Sequence, residues 1–216
     1  IATYLKKKTC HDIKIVDCHV YRYTYEQVVD VVARYRPDVV GITGWTDFWY
    51  SATKTVSLIK KRFPSTFIVM GGPHVLCYPN ETLQYPGINA IVAGDGEVAM
   101  ARILECVESG VYKNGIPGVH FKVFGIHGNI FYHETDIDSL PSPDRSLLPI
   151  ELYSSVLGRD RLITTMITSR GCPYSCVFCK IHLQKPVSHS IEKVLSDFDH
   201  INRLGIKEVE IYDDTF

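Results

Sequence analysis

The chain has 216 residues, of which 45% are hydrophobic and 22% are charged, as in an ordinary globular protein with one large domain or two small ones. Its formal net charge of −1 excludes a general electrostatic basis for binding nucleic acid or an anionic membrane. No apolar run reaches the length of a bilayer span and no signal peptide opens the chain, so we expect neither a membrane segment nor secretion.

Seven cysteines are unevenly distributed along the chain. Three of them fall within eight residues near the carboxyl end, and the others are scattered singly. The scattered residues are Cys10, Cys18, Cys77 and Cys106. An odd number of cysteines without a paired framework favours reduced, mostly structural thiols, which predicts the reducing environment of the cytoplasm.

Short apolar, β-branched segments recur from the amino end, as expected of buried parallel strands. They lie at residues 13–16, 39–43, 67–70 and 90–93. The residues before them resemble the last turns of an amphipathic helix, with lysines at its carboxyl end. A chain that begins inside a helix, without Met, is predicted to be a fragment. We therefore interpret residues 13–16 as the second strand of the sheet, with its first strand missing.

Amphipathic helical patterns separate these strands. Thr24 and Gln27 match a capping box that opens the first helix, and Pro37 ends it. A second helical pattern follows residues 39–43, and a third begins near Glu97. Strands that alternate with helical crossovers predict an α/β fold, a Rossmann-like (flavodoxin-like) doubly wound parallel sheet. We assign this domain to residues 1–110.

Three glycine-containing loops follow the predicted strands. They are Gly41-Ile42-Thr43-Gly44-Trp45, Gly71-Gly72-Pro73-His74 and Gly94-Asp95-Gly96-Glu97. Glycine after a strand is often turn chemistry, but it also lets the backbone approach a large ligand. Open parallel sheets bind ligands beyond the carboxyl ends of their strands. Three such loops on one edge, with a Trp and a His, therefore predict a ligand site.

Strands and helices no longer alternate in residues 111–160. Two apolar segments, at residues 118–124 and 129–133, flank a glycine-containing turn at residues 125–128 and predict a β-hairpin. Residues 138–149 are interrupted by prolines and predict an extended linker.

A cysteine motif then follows a predicted strand at residues 162–168. Cys172, Cys176 and Cys179 have the spacing C-x3-C-x2-C, and thiolates so close together select zinc, copper(I) or an iron–sulfur cluster. A closed zinc site needs four ligands, and His182 could complete a Cys3His set. Three thiolates on a four-iron cube would instead leave one iron open to a substrate or cosubstrate.

The end of the chain continues as a helix and a strand. Ser190 is predicted to cap the helix, which ends near Gly205, and residues 209–212 read as the strand. The predicted inward face of the helix consists of Ile191, Val194, Leu195, Phe198 and Ile201. The strand runs into an acidic turn, Asp213-Asp214-Thr215-Phe216.

The cysteine spacing, with Phe178 just before the last cysteine, resembles the signature of the radical S-adenosylmethionine (radical SAM) enzymes. The resemblance implies that Cys172, Cys176 and Cys179 hold a 4Fe–4S cluster whose open iron chelates the amino and carboxylate groups of S-adenosylmethionine. Reduction by a low-potential donor such as ferredoxin or flavodoxin then cleaves the C–S bond and releases a 5′-deoxyadenosyl radical. It also implies that residues 161–216 begin a partial TIM barrel.

The acidic turn resembles the D-D-x-F turn that ends the second barrel strand in this family, beside the methionine end of S-adenosylmethionine. Phe178, Asp213 and Asp214 are accordingly expected near S-adenosylmethionine, the two carboxylates facing its ammonium group. The alternative is a pair of solvated acidic residues at a strand end.

The glycine loops together with the cysteine motif resemble one large subfamily, in which a cobalamin-binding domain precedes the radical SAM domain. That subfamily has G-G-P-H after one strand, a G-E-G-E-like turn after the next, which reads G-D-G-E here, and an L-P-x-P-D-R segment between the domains. The resemblance implies a cobalamin site formed by Thr43, Gly44, Trp45, Gly71, Gly72, His74, Gly94, Gly96 and Glu97.

This subfamily includes the anaerobic magnesium-protoporphyrin monomethyl ester cyclase and several C- and P-methyltransferases. The implied activity is methyl transfer to, or oxidative cyclisation of, an unactivated carbon of a small molecule, and the fragment alone is expected to be inactive. A corrinoid carrier without radical chemistry and a zinc-stabilised nucleotide-binding protein are the alternatives. The D-x-H-x-x-G cobalt-ligand motif fails because Arg22 occupies its glycine position, so we predict that His19 is not a cobalt ligand.

Overall fold

The computed structural model describes residues 1–128, 130–156, 158–160, 162–179 and 185–215. These residues form two compact units. The first unit contains residue 1, residues 5–11 and residues 21–133, and the second contains residues 2–4, 12–20 and the described part of 134–216. In the described residues no helix is both long enough and apolar enough to span a bilayer.

Helices and short strands alternate along the chain. The helices are α1 (Ala2–Lys8), α2 (Tyr25–Tyr35), α3 (Trp49–Arg62), α4 (Pro73–Cys77), α5 (Pro79–Gln84), α6 (Glu97–Ser109) and α7 (Ile191–Arg203). The strands are β1 (Val39–Thr43), β2 (Phe67–Gly71), β3 (Ala90–Val92), β4 (Val119–Phe121), β5 (Ile163–Met166), β6 (Ser169–Arg170), β7 (Val187–Ser188) and β8 (Glu208–Ile211). Short 3-10 turns occupy Thr46–Phe48, Ile137–Ser139, Arg145–Leu147 and Ile150–Leu152.

The first unit is built on a four-stranded sheet in the order β1-β2-β3-β4. β1, β2 and β3 are parallel, and β4 is antiparallel to β3. Successive residues of β2 enter different cores: Ile68 and Met70 pack with α2 and α3, whereas Val69 packs with α6. Because side chains alternate across a strand, this sheet is buried on both faces, which confirms the predicted doubly wound architecture.

The capping box at the start of α2 is also confirmed. The Thr24 hydroxyl accepts from the Gln27 amide, and the Gln27 side chain accepts from the Thr24 amide. These two bonds satisfy amides that a helix start leaves without intrahelical acceptors. The chain reverses after α2 at Arg36, which has a left-handed φ of 49° and precedes Pro37.

The predicted strand at residues 13–16 is wrong. The segment lies in the second unit and joins no strand ladder among the described residues, and Ile15 is 36% exposed. A turn follows at once, because the Asp17 carboxylate accepts from the amides of His19 and Val20. An apolar, β-branched run becomes a strand only when a neighbour pairs with its backbone groups, and composition does not reveal that neighbour.

The predicted β-hairpin is also wrong. Its first half forms β4, which pairs with β3 in the register Ala90↔Phe121 and Val92↔Val119. In the second half, Tyr132 makes an isolated bridge to Gly94, and Asn129 lies outside the described residues. Pairing with β3 buries Val119 and Phe121 in the core of the α6 face, which a hairpin exposed to solvent would not do.

The second unit is organised around the parallel pair β5–β8, which α7 connects. Ser190 caps α7 as predicted, its hydroxyl accepting from the Lys193 amide. The predicted inward face of α7 is only partly correct, because Ile201 is buried whereas Ile191 is 74% and Leu195 is 58% exposed.

The face of α7 that is buried includes an acidic residue. Asp197 is only 5% exposed and lies one helical turn before Ile201. The buried cation Arg145, on the segment before β5, attracts its carboxylate. Hydrophobicity alone therefore does not select the stripe of α7 that is buried. Phe198, at 37% exposure, lies at the boundary of that stripe.

Candidate functional site

The carboxyl ends of β1 and β2 bring the first two glycine loops together. Thr43 is paired with Gly71 in the ladder, and the Gly44 amide donates to the Gly71 carbonyl at 2.7 Å. The Gly44 carbonyl in turn accepts from the His74 amide at 2.9 Å. The predicted site residues of these two loops therefore form one hydrogen-bonded surface, and Trp45, 55% exposed, extends from it into solvent.

Backbone geometry requires two of the glycines in these loops. Gly72 has a φ of +93°, and a Cβ there would lie 2.9 Å from the Gly44 carbonyl oxygen. Gly94 has a φ of +112°, and a Cβ there would lie 1.8 Å from the carbonyl oxygen of Tyr132. The protein's own backbone thus requires glycine at both positions, which is the turn chemistry expected after a strand. The approach of a ligand to these two loops stays a prediction. At Gly71 the nearest atom would be 3.7 Å away, which leaves ordinary space.

The third loop ends at the start of α6. The Asp95 amide donates to the Tyr132 carbonyl at 3.0 Å, and Asp95 Oδ2 lies 2.9 Å from His133 Nδ1. Gly96 precedes the first helical residue, Glu97, and a Cβ at Gly96 would lie 2.5 Å from the Ile1 side chain. Packing within the first unit therefore also occupies the space beside Gly96.

His74 is the most enclosed polar residue at this edge. Its side chain is 3% exposed, and the Trp49 indole stacks on its ring with centroids 4.0 Å apart. Nδ1 lies 3.2 Å from the Thr46 hydroxyl, while Nε2 is buried with no hydrogen-bond partner among the described residues. Removal from water lowers the pKa of His74, against a smaller opposing attraction from Glu81, so the ring is neutral near pH 7.

Sequence reasoning missed Thr46 and Trp49, which hold His74 in place. The available signal was an aromatic residue at the first position of the helix that follows the first glycine loop. That signal is weak, because its stacking partner, His74, lies in the loop after the next strand, and only the fold shows that the two rings meet.

The lowered pKa of His74 leads to a prediction about acid stability. Above the ordinary His pKa of 6.5, the ring is neutral in both folded and unfolded chains and contributes no pH dependence. Below it, the unfolded chain binds a proton that the folded chain resists, so the free energy of unfolding falls by up to about 1.4 kcal/mol per pH unit until the folded pKa is reached. His74→Phe should flatten this fall in denaturant titrations between about pH 6.5 and 5.

The matched control is His11→Phe, which replaces a half-exposed ring in the same unit. This variant should keep the slope of the wild-type protein. An identical slope in His74→Phe and wild type would contradict a depressed His74 pKa.

The cysteine motif lies in the loop after β5 and β6 of the second unit. Cys172 and Cys179 are half-buried and Cys176 is exposed, and all seven cysteines of the chain have free thiols. The Cys179 amide donates to the Cys176 carbonyl at 3.0 Å. Phe178 is 87% exposed. In the described part of the chain, no three His, Cys, Asp or Glu side chains converge closely enough to hold one metal ion. His182, on which the zinc alternative depends, lies outside the described residues.

The acidic turn after β8 lies against this loop. Asp213 accepts hydrogen bonds from the Thr168 amide at 2.6 Å and from the Ser169 hydroxyl at 2.9 Å, and Asp214 accepts from the Gly171 amide at 3.0 Å. Burial raises the pKa of the Asp213 carboxyl, but the hydrogen bonds from Thr168 and Ser169 outweigh it and hold this pKa below its usual value. The turn and the start of the cysteine loop are thus brought together, and the contact of these carboxylates with an ammonium group stays a prediction.

Arg22 bears on the rejected cobalt-ligand motif. Its φ is 50°, the left-handed conformation that glycine adopts most readily. The backbone therefore tolerates Arg where the motif has glycine, which weakens that argument against His19. The side chain of His19 is exposed. That His19 does not ligate cobalt stays a prediction.

Comparison with known proteins shows what the chain is similar to. Residues 1–104 match the family model of the B12 binding domain. An uncharacterized methyltransferase of Pyrococcus horikoshii is 34% identical over 95% of this chain and 46% of its own length. The anaerobic magnesium-protoporphyrin IX monomethyl ester cyclase of Rubrivivax gelatinosus is 30% identical over 83% of this chain and 33% of its own length. Residues 1–104 thus match a B12 binding domain, and the chain as a whole is similar to a methyltransferase and to a cyclase.

The fold agrees with this similarity. The radical S-adenosylmethionine methyltransferase TsrM from Kitasatospora setae, solved with tryptophan substrate and a SAM analog, superposes with a TM-score of 0.72 at 18% identity, covering 99% of this chain and 43% of TsrM. The chain thus spans less than half the length of these relatives. Its B12-binding match contains all three glycine loops, and its cysteine motif lies beyond that match.

Proposed function

We propose that this chain carries the cobalamin-binding and cluster-binding parts of a cobalamin-dependent radical SAM methyltransferase. The observation that carries the proposal is the position of Cys172, Cys176 and Cys179. They follow the first strand of a parallel β-α-β unit, in the same chain as a B12-binding domain. A structural zinc knuckle or a corrinoid carrier would not require three cysteines at this point of such a unit.

The donor set of the cysteine loop fits an iron–sulfur cluster. Three free thiols lie within one short loop, and thiolate is the ligand that iron–sulfur clusters use. When bound, a 4Fe–4S cluster with one open iron supplies the electron that cleaves S-adenosylmethionine. The residues of the chain supply the ligands and hold the loop, because Gly171, with a φ of +83°, turns it at Cys172 and the Asp214 carboxylate binds the Gly171 amide.

The edge of the first unit offers a suitable surface for a corrin. Exposed aromatic side chains, Trp45 at 55%, Phe48 at 63% and Tyr78 at 48%, surround the two joined glycine loops, and burial of such rings against a large apolar ring is favourable. His74 is enclosed by Trp49, so in this proposal it orders the loop rather than reaching the cobalt.

Methyl transfer is the reaction we favour over oxidative cyclisation. The P. horikoshii relative, which matches nearly the whole chain, is named a methyltransferase, as is TsrM. The proposed acceptor is an unactivated carbon of a small molecule, and a low-potential ferredoxin or flavodoxin is the proposed electron donor. The free thiols favour a reducing compartment, for which we propose the cytoplasm.

Anaerobic reconstitution tests the proposal. The protein should bind about four iron and four sulfide per chain, as a three-thiolate 4Fe–4S site requires, and Cys172→Ala, Cys176→Ala or Cys179→Ala should each abolish this binding. Cys10→Ala removes an exposed thiol elsewhere and should bind iron normally. In the full-length protein, reduced cluster and S-adenosylmethionine should give 5′-deoxyadenosine.

Two results would end the proposal. Stoichiometric zinc without iron would favour the zinc-stabilised alternative, and His182→Ala would then abolish metal binding. Bound corrinoid without any iron would favour a corrinoid carrier.

A further inference from the structure

The segment after β8 continues the β5–β8 pairing toward the cysteine loop. Beyond the strands, the Tyr212 amide still donates to the Met166 carbonyl at 2.8 Å. From Asp213 onward, side chains replace the backbone as partners. Both oxygens of the Asp213 carboxylate accept from Thr168, one from its amide and the other from its hydroxyl.

The residues that contact each other across the two segments keep a nearly constant separation in sequence. Thr168 and Asp213 are separated by 45 positions, which is also the spacing of the partners in the β5–β8 ladder. The next contacts, Asp214 with Gly171 and Thr215 with Cys172, are separated by 43. The Thr215 hydroxyl lies 3.1 Å from Cys172 Sγ. Asp213, Asp214 and Thr215 thus contact the segment after β5 as far as the first cysteine of the motif.

The start of this loop is also held by the β6–β7 ladder, in which Ser169 pairs with Ser188 and Arg170 with Val187. Val177 is fully exposed, Tyr174 is 63% exposed, and Cys176 is also exposed, so apolar burial contributes little to ordering the cysteine loop. Gly171 adopts a left-handed φ that a free chain would leave readily. A loop with few packed side chains keeps one conformation only if its polar groups are bound. The β6–β7 pairing binds part of them, and the two carboxylates bind the Thr168 and Gly171 amides.

We propose that Asp213, Asp214 and Thr215 are positioning residues for Cys172. The two carboxylates fix the path of residues 168–171. The Thr215 hydroxyl donates a hydrogen bond to the Cys172 sulfur, because a thiolate accepts hydrogen bonds and has no proton to donate. The part that concerns a cluster rests on the proposed function. Donors to the sulfurs of a cluster raise its reduction potential, and the groups that orient ligands govern metal affinity.

The carboxylates are tested in the metal-free protein. In Asp213→Ala the Thr168 amide, and in Asp214→Ala the Gly171 amide, should exchange hydrogen about tenfold faster, the change expected for one lost hydrogen bond. Asp213→Asn, which keeps one acceptor oxygen, should restore part of the protection. Asp199→Ala removes an exposed carboxylate of α7 and should change neither amide.

The Tyr212 amide reports whether the effect is local, because it belongs to the adjoining ladder. Unchanged protection at Tyr212 supports the proposal. Wild-type exchange at Thr168 and Gly171 in both alanine variants would overturn it, and so would an equal loss of protection at Tyr212, which would show general unfolding of the unit instead.

The hydroxyl is tested in the reconstituted protein. Thr215→Val should bind iron as the wild type does but show a more negative reduction potential, and Thr215→Ser should restore the wild-type value. An unchanged potential in Thr215→Val would overturn the contact with Cys172. If the wild-type protein binds no iron, the proposed function fails, while hydrogen exchange in the metal-free protein still decides the role of the carboxylates.

Discussion

Gly94→Ala is expected to destabilise the first unit by at least about 3 kcal/mol, because two independent costs combine. The φ of +112° is a conformation that side chains disfavour, and the new Cβ would lie 1.8 Å from the Tyr132 carbonyl oxygen. That carbonyl also accepts from the Asp95 amide, so it cannot withdraw without losing a hydrogen bond. Because Trp45 and Trp49 are the only two tryptophans and both lie in the first unit, tryptophan fluorescence during guanidinium titration measures its unfolding.

The control for Gly94 is Gly110→Ala. Gly110 ends α6 with a φ of +69°, but a Cβ there would have no atom within 4 Å. This variant should lose only about 1–2 kcal/mol of stability, the cost of a side chain in the left-handed backbone conformation. Equal losses in the two variants would show that the contact with Tyr132 costs nothing and that only the backbone conformation matters.

Arg145→Met is expected to destabilise the second unit by about 3 kcal/mol, because two hydrogen-bond acceptors of β5 lose the buried guanidinium that binds them. Arg145 is 5% exposed, and it donates from Nε to the Thr164 hydroxyl and from Nη2 to the Thr165 carbonyl, both at 3.0 Å. Burial lowers the pKa of its guanidinium, while attraction to Asp197 opposes this shift. Asp197 is equally buried, and its Oδ1 has no hydrogen-bond partner among the described residues.

A double-mutant cycle separates attraction from packing. If the charges interact, Arg145→Met combined with Asp197→Asn should lose less than the sum of the two single changes. Arg203→Met, which replaces an exposed cation at the end of α7, should cost under about 1 kcal/mol. Hydrogen exchange of the β5–β8 amides provides the measurement, since both tryptophans lie in the first unit. Strict additivity in the cycle would contradict the attraction.

Arg145 also shows why the linker matters for the cysteine loop. It stands in the L-P-x-P-D-R segment and binds β5, the strand that leads into the cysteines. A strand fixed from one side by Arg145 and paired on the other with β8 presents the loop in one direction. A short proline-punctuated segment that sequence patterns describe only as extended therefore supports the site.

Local chemistry made much of this protein predictable from its sequence. Helix starts at Thr24 and Ser190 were correct because a cap depends on residues only three positions apart. Strands β1, β2, β3, β5 and β8 were predicted because each is a short run rich in apolar or β-branched residues between helical segments. The cysteine spacing and the glycine loops were sufficient to indicate the family, because both motifs are contiguous in sequence.

Only the tertiary structure decided which segments meet. Residues 13–16 have a strand's composition but no partner, and residues 119–121 pair with β3 instead of closing a hairpin. Gly94 is glycine because of Tyr132, and α7 buries Asp197 in the same unit that buries Arg145. The sequence by itself determined the elements and the chemical groups, since these follow from neighbouring residues. The pairing of distant backbone and buried charges was decided by the fold, because those energies depend on contacts that no local pattern contains.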